Sequence, residues 1–296
     1  MIRALVKELR PRQWTKNLLL FAGVIFSQQA GRPDLLLRAA AGFVAFSLLA
    51  GSVYLLNDLR DVEQDRLHPR KRLRPIASGI LPATAAWTAA LVLLAVVGAL
   101  SAWLGPFFAL VAVGYLVMNL VYSLWLRDQV LLDVFFIAFG FVLRAIAGVE
   151  LLRPVSPATE LSPWLLVCTF FGALFLGSGK RHREIVNAGA DARQQRSVLA
   201  LYSPALLEGL LLVSAAASIM GYALYTIWPD TVKKFGTQAL LYTVPFVTYG
   251  IFRYLYVVKV SESAEDPSRV LLGDRPLLGC VLAYLVVVVL ILYTHG

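Results

Sequence analysis

The sequence predicts an all-α fold, a polytopic membrane bundle of nine transmembrane helices with polar cytoplasmic loops. Of the 296 residues, 59% are hydrophobic and 15% are charged, whereas soluble domains carry about 25% charged residues. The hydrophobic residues also form long runs, and about 20 helical residues are needed to cross a hydrocarbon core roughly 30 Å thick. Because these runs lack the alternation of polar and apolar residues that membrane strands show, a transmembrane barrel is disfavoured.

Nine segments have the required length, and we predict that they form one transmembrane domain covering residues 1–296. The first segment begins beside Trp14, and tryptophan is common at the membrane interface. No small-residue cleavage site follows it, so we interpret it as a retained helix and not as a signal peptide. The predicted spans are 13–30, 35–56, 84–104, 107–126, 130–150, 163–179, 205–227, 238–258 and 274–294.

The net charge of +9 would suggest a nucleic-acid partner in a soluble protein, but here the loops explain it. With a cytoplasmic N-terminus, the cytoplasmic side carries about four times as many Lys and Arg residues as the other side, which is the bias that sets membrane orientation. We therefore predict a multi-pass protein of the inner (cytoplasmic) membrane that binds no nucleic acid. The long loops 57–83, 180–204 and 259–273 then share the cytoplasmic face, where we expect the chemistry.

An acidic stripe lies at the cytoplasmic end of the second span. At 100° per residue, Asp61 and Asp65 lie about 60° and 20° from Asp58 on a helix, and Asn57 lies about 100° away. Carboxylates packed this closely repel one another unless a cation is present. Oxygen ligands suit Mg²⁺, which usually binds a few carboxylates together with substrate phosphates. We predict these four residues as ligands of a Mg²⁺ cofactor and the three aspartates as catalytic.

A dense cationic segment follows the acidic stripe directly. A metal on one side and Arg and Lys on the other is the arrangement that a polyphosphate substrate needs. Any one of these basic residues is equally well explained by an ordinary positive-inside loop, and a lone histidine is more often structural than catalytic. The predicted substrate-binding residues of this segment are Arg66, His68, Lys71, Arg72 and Arg74.

Further charges lie in and after the fifth and sixth spans. Asp133 and Arg144 share one face of the fifth span but are about 16 Å apart along its axis, so they cannot pair directly. Charges inside a membrane helix face the bundle interior and are functional candidates. A structural counter-charge to another helix is an equal alternative for Arg144. The residues that open the loop after the sixth span are predicted to bind substrate, and they are Lys180, Arg181 and Glu184.

Five stretches of the chain carry a family resemblance. The stripe Asn57-Asp58-x-x-Asp61-x-x-x-Asp65 resembles the first aspartate-rich motif of the UbiA superfamily of intramembrane prenyltransferases, which also have nine helices and polar cytoplasmic loops. Taken together, the stretches are similar to the decaprenyl-phosphate phosphoribosyltransferase branch of that superfamily. They are Arg10–Asn17, Asn57–Gly79, Leu143–Gly148, Gly179–Glu184 and Leu272–Pro276.

The resemblance implies a reaction and further site residues. The reaction is transfer of a 5-phosphoribosyl group from phosphoribosyl pyrophosphate to a polyprenyl phosphate of the decaprenyl type, with release of pyrophosphate, as a step of cell wall biogenesis. Ordinary prenyltransferases carry a second aspartate-rich motif near 180–196, where this chain is mainly basic, and such cations suit a site that holds two phosphorylated substrates. Four further residues are predicted to bind substrate, and they are Lys16, Tyr122, Arg127 and Arg275.

Two other functions are open alternatives. The same acidic stripe would serve prenyl transfer from a polyprenyl diphosphate to an aromatic or other acceptor. A non-enzymatic transporter of anionic lipids or metabolites would need charges deep in several helices, whereas only Asp133, Arg144 and Arg253 qualify as such charges. The phosphoribosyl reaction needs no strong general base, because a phosphate monoester is already anionic near pH 7. The sequence leaves the oligomeric state open, a homo-oligomer included.

Overall fold

The computed structural model describes residues 1–67, 71–188, 197–261 and 266–294. These residues form helices joined by turns, and no strand occurs among them, which confirms the all-α prediction. In chain order the α-helices are α1 (Ile2–Glu8), α2 (Ala22–Phe26), α3 (Pro33–Arg60), α4 (Val62–Leu67), α5 (Ala83–Leu104), α6 (Pro106–Val121), α7 (Leu132–Glu150), α8 (Pro163–Ala188), α9 (Pro204–Ile227), α10 (Pro229–Phe235), α11 (Val244–Val260), α12 (Pro267–Gly273) and α13 (Arg275–Thr294).

Short helices of other types lie between the α-helices. Four of those in the described ranges are 3₁₀-helices, and one π-helical turn there extends α6. The 3₁₀-helices are Pro11–Phe21, Lys71–Leu73, Ser197–Leu201 and Ala239–Thr243, and the π-helix is Tyr122–Leu126.

Seven helices are long and apolar enough to cross a membrane, within the ranges that the structure describes. They correspond to seven of the nine predicted spans, so the chain is an integral membrane protein, while the count of nine stays a prediction. The seven are Pro33–Arg60, Ala83–Leu104, Pro106–Leu126, Leu132–Glu150, Pro163–Asn187, Pro204–Ile227 and Arg275–Thr294.

The two remaining predicted spans contain 3₁₀ turns in place of one continuous α-helix. A 3₁₀-helix rises about 2.0 Å per residue and an α-helix about 1.5 Å. Pro11–Phe21 followed by α2 is therefore roughly 30 Å long, and Ala239–Thr243 followed by α11 is roughly 36 Å long. Pro245 explains the second break, because proline has no N–H to donate to the carbonyl four residues earlier and is tolerated only in the first turn of a helix.

The loop predicted at 180–204 is partly wrong, because α8 continues to Ala188. Lys180, Arg181 and Glu184 therefore lie on the last turns of a helix and not on a loop. Similarly, α3 continues to Arg60, and the chain turns at Asp61 before α4. The helical backbone of α3 thus fixes Asn57 and Asp58, and that of α8 fixes Lys180, Arg181 and Glu184.

The chain forms two compact units, which we describe separately. In unit 1 (Met1–Val24, Arg32–Leu126 and Leu143–Glu160), α3 packs along α5. Its core near the acidic end of α3 contains Leu9, Leu55, Ile76, Leu81 and Ala86.

In unit 2 (Ile25–Gly31, Arg127–Val142 and Leu161–Gly296), α8 packs along α9. Its core contains Phe175, Leu211, Tyr254, Val258 and Leu277. The single transmembrane domain that the sequence predicts for residues 1–296 stays a prediction.

Arg38 is a buried cation near the N-terminal end of α3, in unit 1. Its Nε donates to the carbonyl oxygen of Leu151 at 2.6 Å, its Nη2 donates to the carbonyl oxygen of Leu104, and its guanidinium lies 5.1 Å from the centre of the Trp103 ring. Leu104 ends α5 and Leu151 follows α7, so one cation satisfies carbonyl groups at the C-terminal ends of two helices, where positive charge is favourable.

Gly148 allows α7 to approach the first 3₁₀-helix closely. A Cβ atom at Gly148 would lie 2.5 Å from the carbonyl oxygen of Leu20, and a Cβ atom at Gly23 would lie 2.1 Å from the carbonyl oxygen of Gly148. Because these neighbours are backbone atoms, they cannot move aside without shifting a helix.

We expect Gly148→Ala to lower the free energy of unfolding by about 1–3 kcal/mol, the usual cost of overpacking. Gly98→Ala is the matched control, since Gly98 lies in α5 with no neighbouring atom within 4 Å of its added Cβ. Alanine is favoured over glycine in a helix by up to about 1 kcal/mol, so the control should keep or raise the thermal midpoint in detergent. Equal midpoints for the two variants would show that the close approach is not required.

Candidate functional site

Two aspartates of the acidic stripe are brought together at the end of α3. Asp58 and Asp65 are both buried, although α4 carries Asp65 beyond the turn at Asp61. Backbone hydrogen bonds from Asp61 to Asn57 and from Asp65 to Asp61 keep the i−4 pattern through this turn. The helical spacing therefore brings Asp58 and Asp65 to the same side.

Two arginines neutralise these aspartates. Arg74 Nη1 donates to Asp58 Oδ1 at 2.8 Å and to Asp65 Oδ2 at 2.6 Å, so one nitrogen bridges both carboxylates. Arg10 Nη2 donates to both oxygens of Asp58, at 2.9 and 2.6 Å. Lys71 Nζ lies 4.0 Å from Asp65 Oδ1 and adds positive charge.

Arg10 is the site residue that sequence reasoning did not place among the candidates. It precedes Pro11 with φ of 51° and lies 4.5 Å from the centre of the Tyr54 ring. Burial opposes the charged form of Arg10, but the Asp58 carboxylate outweighs burial, so the pKa of Arg10 lies above its ordinary value. The sequence feature that could have indicated Arg10 is its position at the start of the Arg10–Asn17 stretch, one of the five stretches that carry the family resemblance.

Glu8 is a second residue that the sequence did not indicate. Its side chain is buried, and Oε1 accepts a hydrogen bond from the Ile76 backbone N–H at 3.0 Å. Burial raises the pKa of Glu8 to about 7; the Ile76 N–H opposes this shift, and the neighbouring Asp58 adds to it. Below that pH, Glu8 is mostly protonated and can donate a hydrogen bond to Asp58. It links the Asp58 carboxylate to the backbone of the segment after Arg74.

The carboxylate and amide oxygens of the acidic stripe are of the type that binds divalent cations such as Mg²⁺. One Arg74 nitrogen touches both Asp58 and Asp65, so the two carboxylates face a common positive charge, and burial raises the pKa of Asp65 although Arg74 and Lys71 partly offset it. The complete predicted set is not assembled, because Asp61 Oδ1 lies 3.8 Å from Arg60 Nε. Among the described residues, no group of three or more His, Cys, Asp or Glu side chains could hold a metal ion.

The other predicted cations of unit 1 are more dispersed. Arg66 donates to Glu63 Oε1 at 2.8 Å and to the Ala77 carbonyl oxygen at 3.3 Å. Arg72 is exposed, and Lys16 is half-buried in the first 3₁₀-helix. The prediction for His68 lies outside the described residues, since the structure resumes at residue 71.

Arg144 belongs to a buried polar cluster of unit 1. Its Nε donates to Asn17 Oδ1 at 2.6 Å, and its Nη2 donates to the Tyr115 hydroxyl at 2.8 Å. Asn17 Nδ2 in turn donates to Ser47 Oγ at 2.9 Å. Arg144 thus joins α7 to α6 and to the first 3₁₀-helix by hydrogen bonds, which favours its structural interpretation.

Asp133 belongs to a different cluster, in unit 2. It is fully buried, with Arg181 Nε donating to Oδ2 at 2.5 Å and the Tyr202 hydroxyl donating to Oδ1 at 2.6 Å. Arg181 is only 1% exposed and also donates to Glu184. Lys180 Nζ lies 3.7 Å from the other oxygen of Glu184. We define Asp133, Arg181, Glu184 and Tyr202 as the Asp133 cluster.

This cluster separates the roles of two predicted substrate-binding cations. Arg181 is buried between two carboxylates. A guanidinium in such a position stabilises the fold through its ion pairs and is poorly placed to bind a ligand. Lys180 is half-buried at the same helical level. The prediction that Arg181 binds substrate is untested, and the geometry favours Lys180 for that role.

The remaining predicted residues lie at helix ends. Tyr122 begins the π-helical turn, Arg127 lies in the turn between that element and α7, and Arg275 is exposed at the start of α13. Arg127 Nε is 3.6 Å from Asp128 Oδ2. Substrate binding by these three residues stays a prediction.

Comparison with known proteins identifies one matching family and several relatives that share one name. Residues 17–274 match the UbiA prenyltransferase family. The chain is 34% identical to a decaprenyl-phosphate phosphoribosyltransferase of Mycolicibacterium smegmatis, covering 96% of this chain and 91% of the relative. It is 36% identical to one of Mycobacterium tuberculosis, covering 97% and 94%. It is 35% identical to one of Corynebacterium glutamicum, covering 98% and 86%.

Solved structures share the fold at lower identity. A UbiA homolog from Archaeoglobus fulgidus bound to GPP and Mg²⁺ has a TM-score of 0.72 and 19% identity, covering 98% of this chain and 99% of that one. The same archaeal homolog bound to Cd²⁺ has a TM-score of 0.67 and 17% identity, covering 98% and 99%. At such identities the likeness establishes the fold alone.

We expect Glu8→Gln to keep the thermal midpoint at pH 6, because glutamine reproduces both the acceptor and the donor of a protonated Glu8. Glu8→Ala should lower the free energy of unfolding by about 1–3 kcal/mol, since the buried Ile76 N–H loses its partner. Thermal unfolding of both variants in detergent makes the comparison. A Glu8→Gln variant as unstable as Glu8→Ala would show that Glu8 is needed as a carboxylate.

Proposed function

The chain belongs to the UbiA prenyltransferase family, and from that premise we propose that it transfers a 5-phosphoribosyl group from phosphoribosyl pyrophosphate to a polyprenyl phosphate, releasing pyrophosphate. The observation that carries the proposal is 34–36% identity, over at least 96% of this chain, to relatives named decaprenyl-phosphate phosphoribosyltransferase. The decaprenyl length and a role in cell wall biogenesis belong to the same proposal.

The positive charges at the end of α8 favour a reaction in which both substrates carry phosphate groups. Lys180 and Arg181 occupy helical positions where the family resemblance leads us to expect the second aspartate-rich motif of ordinary prenyltransferases. Lys180 offers a half-buried ammonium next to Glu184, and a charge-assisted contact of this type to phosphate is stronger than a neutral hydrogen bond. We propose that Lys180 binds a phosphate group of the donor or the acceptor. Arg181 then positions Lys180 through their shared partner Glu184.

The acidic end of α3 is the proposed donor site. Asp58 and Asp65 would hold a divalent cation, proposed to be Mg²⁺, with Asn57 and Asp61 as further oxygen ligands. When bound, this cation would neutralise negative charge on a diphosphate leaving group. Arg74 and Arg10 already lie against the same aspartates, so their guanidinium groups can contact phosphate oxygens without a large movement.

The acceptor needs little activation by the protein. A phosphate monoester carries between one and two negative charges near pH 7, so its oxygen can attack C1 of the ribose without a strong general base. The task of this chain is to hold the two anionic substrates against each other, and a set of Lys and Arg side chains supplied by helix ends is suited to it.

The proposed location is the inner membrane, with the N-terminus and the acidic end of α3 in the cytoplasm. The excess of Lys and Arg in the loops of that side supports this orientation. The donor is a water-soluble sugar phosphate, and the acceptor is a lipid whose phosphate lies at the membrane surface. A site at the cytoplasmic helix ends is accessible to both.

We expect the purified protein to release pyrophosphate from phosphoribosyl pyrophosphate only when a polyprenyl phosphate is present. Radiolabelled donor and thin-layer separation of the lipid product measure the reaction. The matched acceptor control is the corresponding polyprenol, which has the same chain and no phosphate. Turnover of a polyprenyl diphosphate with an aromatic acceptor, and none of phosphoribosyl pyrophosphate, would replace this proposal with prenyl transfer.

We expect Asp61→Asn to lower kcat/KM at least 100-fold, equivalent to about 2.7 kcal/mol of barrier, because a proposed metal ligand loses its charge. Asp61 is partly exposed whereas Asp58 is buried, so folding should survive the substitution of Asp61 better than that of Asp58. Asp34→Asn is the control, since it removes one carboxylate from the opposite end of α3. EDTA should abolish turnover and added Mg²⁺ should restore it. Full activity of Asp61→Asn, or in EDTA, would contradict the proposed metal site.

A further inference from the structure

The Tyr202 hydroxyl connects segments that are far apart in the sequence. It donates to Asp133 Oδ1 at 2.6 Å and accepts a hydrogen bond from the Leu131 backbone N–H at 2.6 Å. Its ring is buried and packs with Val134, Val198 and Leu207. One oxygen atom therefore joins the chain after residue 197 to the start of α7.

The Leu131 backbone has a conformation that leucine rarely adopts. Its φ is +70°, a left-handed value that costs a residue with a Cβ of the order of 1 kcal/mol. Such a conformation persists only where the surroundings fix it. The Tyr202 hydroxyl contacts the N–H of this residue, so it is placed to stabilise the left-handed turn. The same turn, residues 127–131, begins with Arg127.

The other contact of Tyr202 leads to α8. Asp133 accepts hydrogen bonds from Tyr202 on one oxygen and from Arg181 on the other. Arg181 also donates to Glu184, and Glu184 lies beside Lys180. Burial and the Asp133 carboxylate both raise the pKa of Tyr202, so its hydroxyl keeps its proton and remains the donor.

We propose that Tyr202 is a positioning residue that couples the 127–131 turn to the end of α8 and so holds Arg127 and Lys180 at a common spacing for a phosphorylated substrate. This inference rests on the proposed function for its substrate, while the coupling itself is a property of the fold. Tyr202 contacts neither cation directly. It acts through Leu131 on one side and through Asp133, Arg181 and Glu184 on the other.

The test is Tyr202→Phe, which removes one oxygen and keeps the buried ring. Arg127 and Lys180 are proposed to bind phosphate in the ground state and the transition state alike, so their displacement weakens substrate binding more than it slows the chemical step. We expect KM for at least one phosphorylated substrate to rise about 10-fold or more, while kcat changes less than about threefold. Tyr242→Phe is the matched control, because Tyr242 is 75% exposed in the same unit, and its kinetics should equal those of the unmodified protein.

A second substitution separates positioning from general damage. Glycine adopts left-handed φ without the Cβ penalty, so Leu131→Gly added to Tyr202→Phe should recover the part of the lost affinity that depends on the 127–131 turn. A variant that had merely loosened the packing would not be rescued by a glycine. Unchanged KM in Tyr202→Phe, or a double variant no better than the single one, would overturn the proposal.

Hydrogen exchange of the peptide 127–135 gives a readout that needs no substrate. Tyr202→Phe should accelerate exchange in this peptide, because the Leu131 N–H loses its acceptor, and Tyr242→Phe should not. If the unmodified protein failed to use phosphoribosyl pyrophosphate, the proposed function would fall, and this comparison would still decide the coupling. Equal exchange in Tyr202→Phe and the unmodified protein would overturn the coupling whatever the substrate.

Discussion

The structure depends on one constraint, which is that a charge buried among apolar helices must be met by an opposite charge or by several hydrogen bonds. An isolated ion in a low-dielectric interior costs many kcal/mol, and removing one partner of a buried pair is strongly destabilising. Asp58 and Asp65 satisfy this constraint with Arg74 and Arg10. Each pair joins residues on different elements, so the same contacts that neutralise the charges also fix the arrangement of the helices.

The helices themselves were largely predictable from the sequence. Runs of apolar residues gave the positions of seven spans, because length and hydropathy are local properties. The ends were less certain. By hydropathy alone, the polar residues Lys180 and Glu184 end the sixth span. α8 continues through them because Glu184 pairs with Lys180 and Arg181 within the helix, and Arg181 also pairs with Asp133. The 3₁₀ start before Pro245 reflects a missing backbone donor, which hydropathy does not register.

The candidate site was predictable in part. The spacing of Asp58, Asp61 and Asp65 indicated an acidic stripe from helical geometry alone. Its partners were not evident, since Arg10 and Arg74 lie 48 and 16 positions from Asp58 in the chain. Spacing rules apply within one helix and give no information about contacts between elements. For the same reason the sequence does not indicate that Arg181 pairs with Asp133, which is 48 positions away.

Arginines bind at both ends of α3, but their hydrogen-bond acceptors differ between the two ends. This difference determines at which end a ligand can compete for an arginine. Arg38 is bound by main-chain carbonyl groups of Leu151 and Leu104, which carry no net charge and do not titrate. Arg10 and Arg74 are bound by carboxylates, for which phosphate oxygens are a close chemical substitute. An anion that reached the acidic end would therefore compete with Asp58 and Asp65 for these arginines, whereas the acceptors of Arg38 are uncharged main-chain atoms. One end of α3 is held by backbone acceptors, and the other is held by side chains that an anion can imitate.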